Sequence, residues 1–305
     1  MSAMLLILAY LVIGLVLKRT HLMPVNTGQV LNQYVINVAV PAMILLHLPH
    51  LDITRAILTP AIMPWVLFPI SIALVLTSAK IWKWSRELTG ALLIVVPLGN
   101  TSFLGFPMIE TFFGTAGLPY AVIYDQVGSF IGLAFFATFF AAVYGKREDG
   151  NEEKLSIASL TKRLVTFPPV IALIVAFIFG MQNYPGMLQT LISNLAATLV
   201  PVVMIAVGFQ LQFRIPKSDL LPFSVAMIIK LLILPAVALG LIRALDLNDL
   251  AAQVTVLEAS MPFMITAGAV AIGAGLKPRF VASLVGYGIL FGLITVPIWA
   301  WLLQA

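Results

Sequence analysis

Four ionisable residues interrupt otherwise apolar stretches of this chain: Glu110, Asp125, Lys230 and Glu258. A charge at membrane depth is costly, so each is a functional hypothesis by default. Glu258 is the best placed, with apolar sequence on both sides and Pro262 four residues on. A carboxylate there can bind Na⁺ as an oxygen ligand, carry a proton, or pair with Lys230. Asp125 has Gln126 beside it and Ser129 one helical turn on, so a carboxylate and a hydroxyl share a face and could form part of an ion site. Lys230 can attract an anionic substrate or neutralise a carboxylate, and the sequence leaves both open. Glu110, His47 and His50 read as residues of the outer interface.

Uncharged polar groups gather at two further places. Asn100, Thr101 and Ser102 lie in IVVPLGNTSFLGFPMIETFFG, which also carries Pro97, Gly99, Gly105 and Pro107. Ser260 precedes Pro262 in VTVLEASMPFMITAGAVAIGAG. Proline removes a backbone donor and clashes with the preceding turn. The groups it frees cannot face lipid, so a broken backbone at this depth must be buried in protein or line a cavity. The alternative is a plain proline kink. If both segments break, each half-helix end carries roughly half a unit charge. The N-terminal ends near Thr101 to Gly105 and Met261 to Phe263 would favour an anion, and the opposite ends a cation. The candidate substrate site is therefore Asn100, Thr101, Ser102, Gly105, Pro107, Ser260 and Pro262, with Asn37 as a further lining residue.

The elements that must hold these groups are membrane spans. The chain has 305 residues, 61% hydrophobic and 10% charged, against roughly 25% charged in a soluble domain. A spanning helix needs about 20 mostly apolar residues. Ten candidate spans fit, at approximately 3–18, 30–48, 62–80, 89–114, 118–144, 163–181, 188–211, 219–241, 250–273 and 281–303. No soluble domain is left over. The first span is apolar from its start, with Lys18 and Arg19 at its end, which is the reverse of a cleaved signal.

Charge placement tests this count. The odd-numbered loops hold 14 of the 17 Lys and Arg, the even loops only Arg55 and Arg243, and Lys230 lies within a span. The positive-inside rule then puts the odd loops in the cytoplasm and both termini outside. The polar stretch 145–162, with KREDGNEEK, divides the chain into 1–144 and 163–305. Each half has five spans, so the second must be inverted, the layout of an inverted-topology repeat. Offset by 160 residues, Leu31, Val40 and Pro41 fall on Leu191, Val200 and Pro201. Offset by 155, Pro107 falls on Pro262. Interrupted helices at matching positions of two halves are the best sequence pointer to a transport site.

The whole chain resembles a bacterial member of the auxin efflux carrier family. The residues that carry this are LNQYVINVAVPAMIL, GNTSFLGFPMIETFFG, KLLILPAVALG and EASMPFMITAGAVA. The resemblance implies ten helices in two inverted five-helix repeats, with discontinuous helices 4 and 9 crossing at their prolines. It implies a scaffold from helices 1, 2, 6 and 7, a transport domain from the rest, a homodimer through the scaffold, and an inner-membrane location. It implies carboxylate substrates: auxins in plants, malonate- or malate-like acids in some bacteria. A second resemblance joins EASM to the Glu-Val-Gly-Met stretch of bile acid–sodium symporters. It matches Glu258 and Met261 and adds Met261 to the coupling-ion set; Pro262 departs from the symporters' Gln. Sodium and proton coupling both stay open.

Several classes drop out. Without cysteine there is no disulfide or thiolate chemistry. HExxH, P-loop and GxSxG patterns are absent, so the chain is expected to be neither an enzyme nor a nucleotide-driven pump. The basic residues sit at helix ends, without a nucleic-acid-binding pattern. The expectation is an all-α secondary transporter of a small organic anion, with Na⁺ or H⁺ as coupling ion and no other cofactor. The alternatives are a sodium-coupled symporter of bile-acid-like amphipathic anions and a ligand sensor that moves nothing.

Overall fold

The computed structural model describes residues 2–50, 54–145, 165–179, 185–211 and 219–304. Among these the chain is all-helical, and its one extended contact is an isolated antiparallel bridge between Gly99 and Phe263. In chain order the helices are α1 (Ser2–Arg19), α2 (Thr27–His47), α3 (Arg55–Ile81), α4 (Arg86–Val95), α5 (Phe106–Phe113), α6 (Thr115–Tyr144), α7 (Pro168–Phe179), α8 (Gly186–Gln210), α9 (Leu220–Ala244), α10 (Leu250–Ala259), α11 (Ile265–Gly273) and α12 (Pro278–Gln304). Six of them, α2, α3, α6, α8, α9 and α12, are long and apolar enough to cross a membrane. The other four expected spans take different forms. The first is α1. The sixth is described only over α7. The fourth and ninth are each two short helices, α4 with α5 and α10 with α11, separated by irregular backbone. The expected linker 145–162 lies outside the described residues apart from Gly145.

The helix starts follow local sequence. Ser85 caps α4 by accepting from the Leu88 amide, and Asp249 caps α10 by accepting from the Ala252 amide at 2.8 Å. Each satisfies one of the donors that a helix start leaves open. Five helical stretches widen into π turns: Val35–Ala39, Thr101–Gly105, Tyr124–Phe130, Leu133–Ala137 and Ile229–Ile233. Three are followed two residues later by proline, at Pro41, Pro107 and Pro235. A proline leaves the carbonyl four residues back without its amide partner, and a widened turn accommodates that gap. At Pro235 the orphan is the Leu231 carbonyl, and the Trp299 indole fills the vacancy, donating to it at 2.9 Å.

The chain forms two compact units interleaved in sequence. One comprises Met1–Thr54, Ser102–Val122 and Ile157–Leu211; the other comprises Arg55–Thr101, Ile123–Ser156 and Gln212–Ala305. Neither coincides with the halves 1–144 and 163–305. In the first unit α1 and α8 approach closely. A methyl placed on Gly14 would lie 2.1 Å from the Ile205 carbonyl oxygen, and one on Gly208 2.1 Å from the Leu11 carbonyl oxygen. Only glycine permits such contact, as is usual where helices pack in lipid. In the second unit a core of Leu92, Ile94, Val96, Leu98, Phe263, Phe280 and Leu284 surrounds the two broken segments.

Candidate binding site at the crossing of two broken segments

Both proline-bearing segments of the second unit are broken, not kinked. α4 ends at Val95, and Pro97 supplies no donor to continue it. α10 tightens as it ends: the Ser260 amide reaches the Val256 and Leu257 carbonyls, and the Met261 amide takes the Glu258 carbonyl at 3.1 Å. Pro262 follows and stops the helix. The two breaks then satisfy each other. The Asn100 amide donates to the Pro262 carbonyl at 2.7 Å, and the Met264 amide donates to the Leu98 carbonyl at 3.1 Å. This pair of bonds flanks Gly99 and Phe263. An unsatisfied backbone group in lipid costs several kcal/mol, so the reciprocal pairing is what allows extended chain here.

The last helix is shaped to receive the second break. A methyl on Gly288 would lie 2.4 Å from the Phe263 ring, and one on Gly292 2.8 Å from Pro262 Cγ. One helical turn separates these glycines, so α12 offers a groove along one face. On α6, Gly128 meets Pro64 of α3 and Gly132 meets Phe68 in the same manner.

Around the crossing lie the buried charged side chains of the described residues: Asp125, Lys230 and Glu258. Asp125 sits in the π turn of α6 and is well bonded. Thr101 donates its hydroxyl to Oδ1 at 2.5 Å, and the Gln126 amide donates to Oδ2 at 2.7 Å. Ser129 is buried on the same turn. Glu258, in the last turn of α10, is fully buried, and neither carboxylate oxygen has a hydrogen-bond partner. The ion pair with Lys230 is therefore not formed. Asp125 lies close enough to Glu258 to act on it electrostatically. An ionised carboxylate without a partner at this depth is unfavourable by several kcal/mol. Such a group is suited to holding a proton or a cation.

Lys230 is 3% exposed and sits in the π turn of α9. Its ammonium packs against Gly99: a methyl on Gly99 would be 3.3 Å from Nζ and 3.5 Å from the Met261 carbonyl oxygen. Asn100, the next residue, is 2% exposed and its Nδ2 has no partner. Gln126 Oε1 is likewise buried without a partner. Ser260 is buried too, but its hydroxyl donates back to the Leu257 carbonyl at 2.6 Å.

The second unit thus gathers Asn100, Thr101, Asp125, Ser129, Lys230, Glu258, Ser260, Met261 and Pro262. Asn37, Ser102, Gly105 and Pro107 belong to the other unit. There Asn37 is exposed and its amide donates to the Gln33 carbonyl of its own helix at 2.7 Å. Pro107 lines a cavity of about 550 Å³ within its own unit, with Tyr10, His47, Glu110 and Pro201. Sequence reasoning named Gly99 and Phe263 in the two interrupted segments without pairing them, and overlooked Gly288 and Gly292 of the last span as parts of the crossing. The glycines four apart in the last span were the available signal.

The comparisons with known proteins agree with a membrane transporter. The chain is 30% identical over 299 residues to an uncharacterized transporter of Methanothermobacter thermautotrophicus, covering 96% of this chain and 95% of that protein. It is 27% identical over 312 residues to an uncharacterized transporter of Methanocaldococcus jannaschii, covering 99% of this chain and 98% of that protein. The profile of the family described as membrane transport protein matches residues 1–300. With its apolar helices and this match over nearly its whole length, the chain is a multi-pass membrane protein that belongs to the membrane transport protein family, that of the auxin efflux carriers.

Proposed function

We propose that this protein is a secondary active transporter of a small organic carboxylate anion, working by alternating access at the crossing of its two broken segments. The observation that carries the reading is the reciprocal pairing across Gly99 and Phe263, with a buried lysine and an unpartnered amide beside it. Backbone broken at membrane depth is tolerated where it lines a site, and half-helix ends supply the partial charges that hold an anion and its coupling ion. Substrate groups in this reading come from Asn100, Thr101, Ser260 and Pro262, all of the second unit. Glu258, with Asp125, Ser129 and Met261, holds the coupling ion, Na⁺ or H⁺. The unpartnered carboxylate of Glu258 supports that role.

The same reading takes the chain as ten crossings in two inverted five-span repeats. Gly128 and Gly132 on α6 and Gly288 and Gly292 on α12 support it, since each pair lies 160 positions from the other and both accept a proline or an aromatic ring. The lysine and arginine alternation favours termini outside and an inner-membrane location. Uptake by proteoliposomes under imposed Na⁺ or H⁺ gradients tests the function. Saturable carboxylate flux driven by one gradient, and lost in Glu258→Gln, is the expected result. Tight carboxylate binding without any flux would replace the transporter reading with a sensor.

A further inference from the structure

Glu110 and His47 stand out in the sequence, yet neither belongs to the unit that holds the crossing. Both line one cavity of about 550 Å³ inside the first unit. That volume lies within the roughly 300–1,000 Å³ of small-molecule pockets. Helices α1, α2 and α8 supply an apolar wall, with Leu6, Ile7, Met43 and Leu199 among the lining residues.

The polar part of the wall is rich in acceptors. Glu110 brings a carboxylate, which when ionised only accepts. Next to it, the Thr111 hydroxyl donates its proton to the Pro107 carbonyl at 2.7 Å. What that hydroxyl still offers is lone pairs. On α8, Ala197 and Pro201 both line the cavity. Proline carries no amide hydrogen, so Pro201 leaves the Ala197 carbonyl without the partner that a regular helix supplies. Among the described residues no lysine or arginine lines the cavity, and beside Glu110 its ionisable groups are His47 and Tyr10. An organic anion would meet a carboxylate here and no fixed positive charge. An ammonium group is the complement: it is positive, brings three donors and accepts nothing.

We propose that this cavity binds a small amphipathic amine, its ammonium group on Glu110 and its apolar body against α1, α2 and α8. It shares no residue with the groups assigned to substrate and coupling ion above, so it stands or falls apart from the transporter reading. The test titrates the purified full chain in detergent with phenylbutylamine, phenylbutanol and phenylbutyrate, which share one apolar body and differ in head group. Calorimetry reads the binding. The amine should bind saturably and about tenfold or more tighter than the alcohol, the gain of one charge-assisted hydrogen bond. The acid should show no saturable binding. Glu110→Gln should bring the amine down to the level of the alcohol, and Glu110→Asp should retain part of the difference. Ala197→Phe, which fills the cavity, should weaken amine and alcohol alike. Glu110 and Ala197 are exposed, so these variants are expected to fold, as gel filtration and melting will show. If Ala197→Phe does not fold, the two Glu110 variants decide. Equal affinity for amine and alcohol, tighter binding of the acid, or undiminished amine binding by a folded Glu110→Gln or Ala197→Phe variant overturns the site. Non-saturable amine uptake, equal in every variant, is partitioning into the micelle and overturns it as well.

Discussion

Two regions of this protein bring backbones into unusually close contact, for different physical ends. At the seam between α1 and α8, Gly14 and Gly208 face carbonyl oxygens of the opposite helix across gaps that no side chain could occupy. Both helices keep their own hydrogen bonds, and the approach yields dispersion and weak Cα–H···O contacts. At the crossing, by contrast, two helices end, and their freed amides and carbonyls pair with each other. Six buried polar side-chain atoms lack a hydrogen bond among the described residues, and four belong to Asn100, Gln126 and Glu258 beside the crossing. The seam is satisfied packing. The crossing keeps polar capacity in reserve, which is what a binding site requires and a packing interface avoids.

This contrast can be broken at either region. The largest stability effect should come at the seam. Gly208→Val would push a branched side chain onto the Leu11 carbonyl and cost about 3 kcal/mol or more, read as a lowered melting temperature in detergent. Whatever protein still folds should keep its substrate preference; a changed preference would show that the seam is not mere packing. Next comes Thr101→Val, which removes the hydroxyl donor to Asp125. A hydrogen bond to a charged group contributes about 2 kcal/mol, and transport should fall with stability.

Trp299→Phe should be milder, at about 1.5 kcal/mol, because it leaves the Leu231 carbonyl unsatisfied beside the turn that carries Lys230. An unchanged melting temperature would mean that water or backbone relaxation replaces the indole. The smallest effect has the opposite sign. Glu258→Gln removes an unpartnered buried charge and should raise the stability of the ligand-free protein by about 1 kcal/mol, while uptake loses its response to the ion gradient. A variant less stable than wild type would show that the carboxylate makes a favourable interaction in the resting protein.

Much of this was legible in residue types. Pro97 and Pro262 marked both segments as candidates for a break, since proline removes a backbone donor wherever it stands; Pro64, Pro69 and Pro297 sit inside unbroken helices, so packing decided which segments break. The importance of Glu258 and Lys230 follows from the rarity of charge in apolar sequence. Their relation was not legible. The sequence allowed them to pair, and the structure leaves Glu258 without a hydrogen bond and puts Lys230 against Gly99. Asp125 read as part of an ion site with Ser129, and the donor from Thr101, 24 residues back, was not legible. Asn37 read as a lining residue; it is exposed, and its amide donates to its own helix. Side-chain direction decides such cases, and the π turns of α2, α6 and α9 shift it away from the regular helical spacing.

What the sequence determined by itself is the solvent and the punctuation: a chain too apolar for water, with prolines in mid-span and four ionisable residues in apolar stretches. Hydropathy and proline act residue by residue, so no fold is needed to read them. The tertiary structure decided which broken end meets which, that Gly99 faces Phe263, and that Lys230 lies by the first break while Glu258, by the second, makes no hydrogen bond. Those pairings join residues more than a hundred positions apart, and only packed helices bring them within the few ångströms over which hydrogen bonds act.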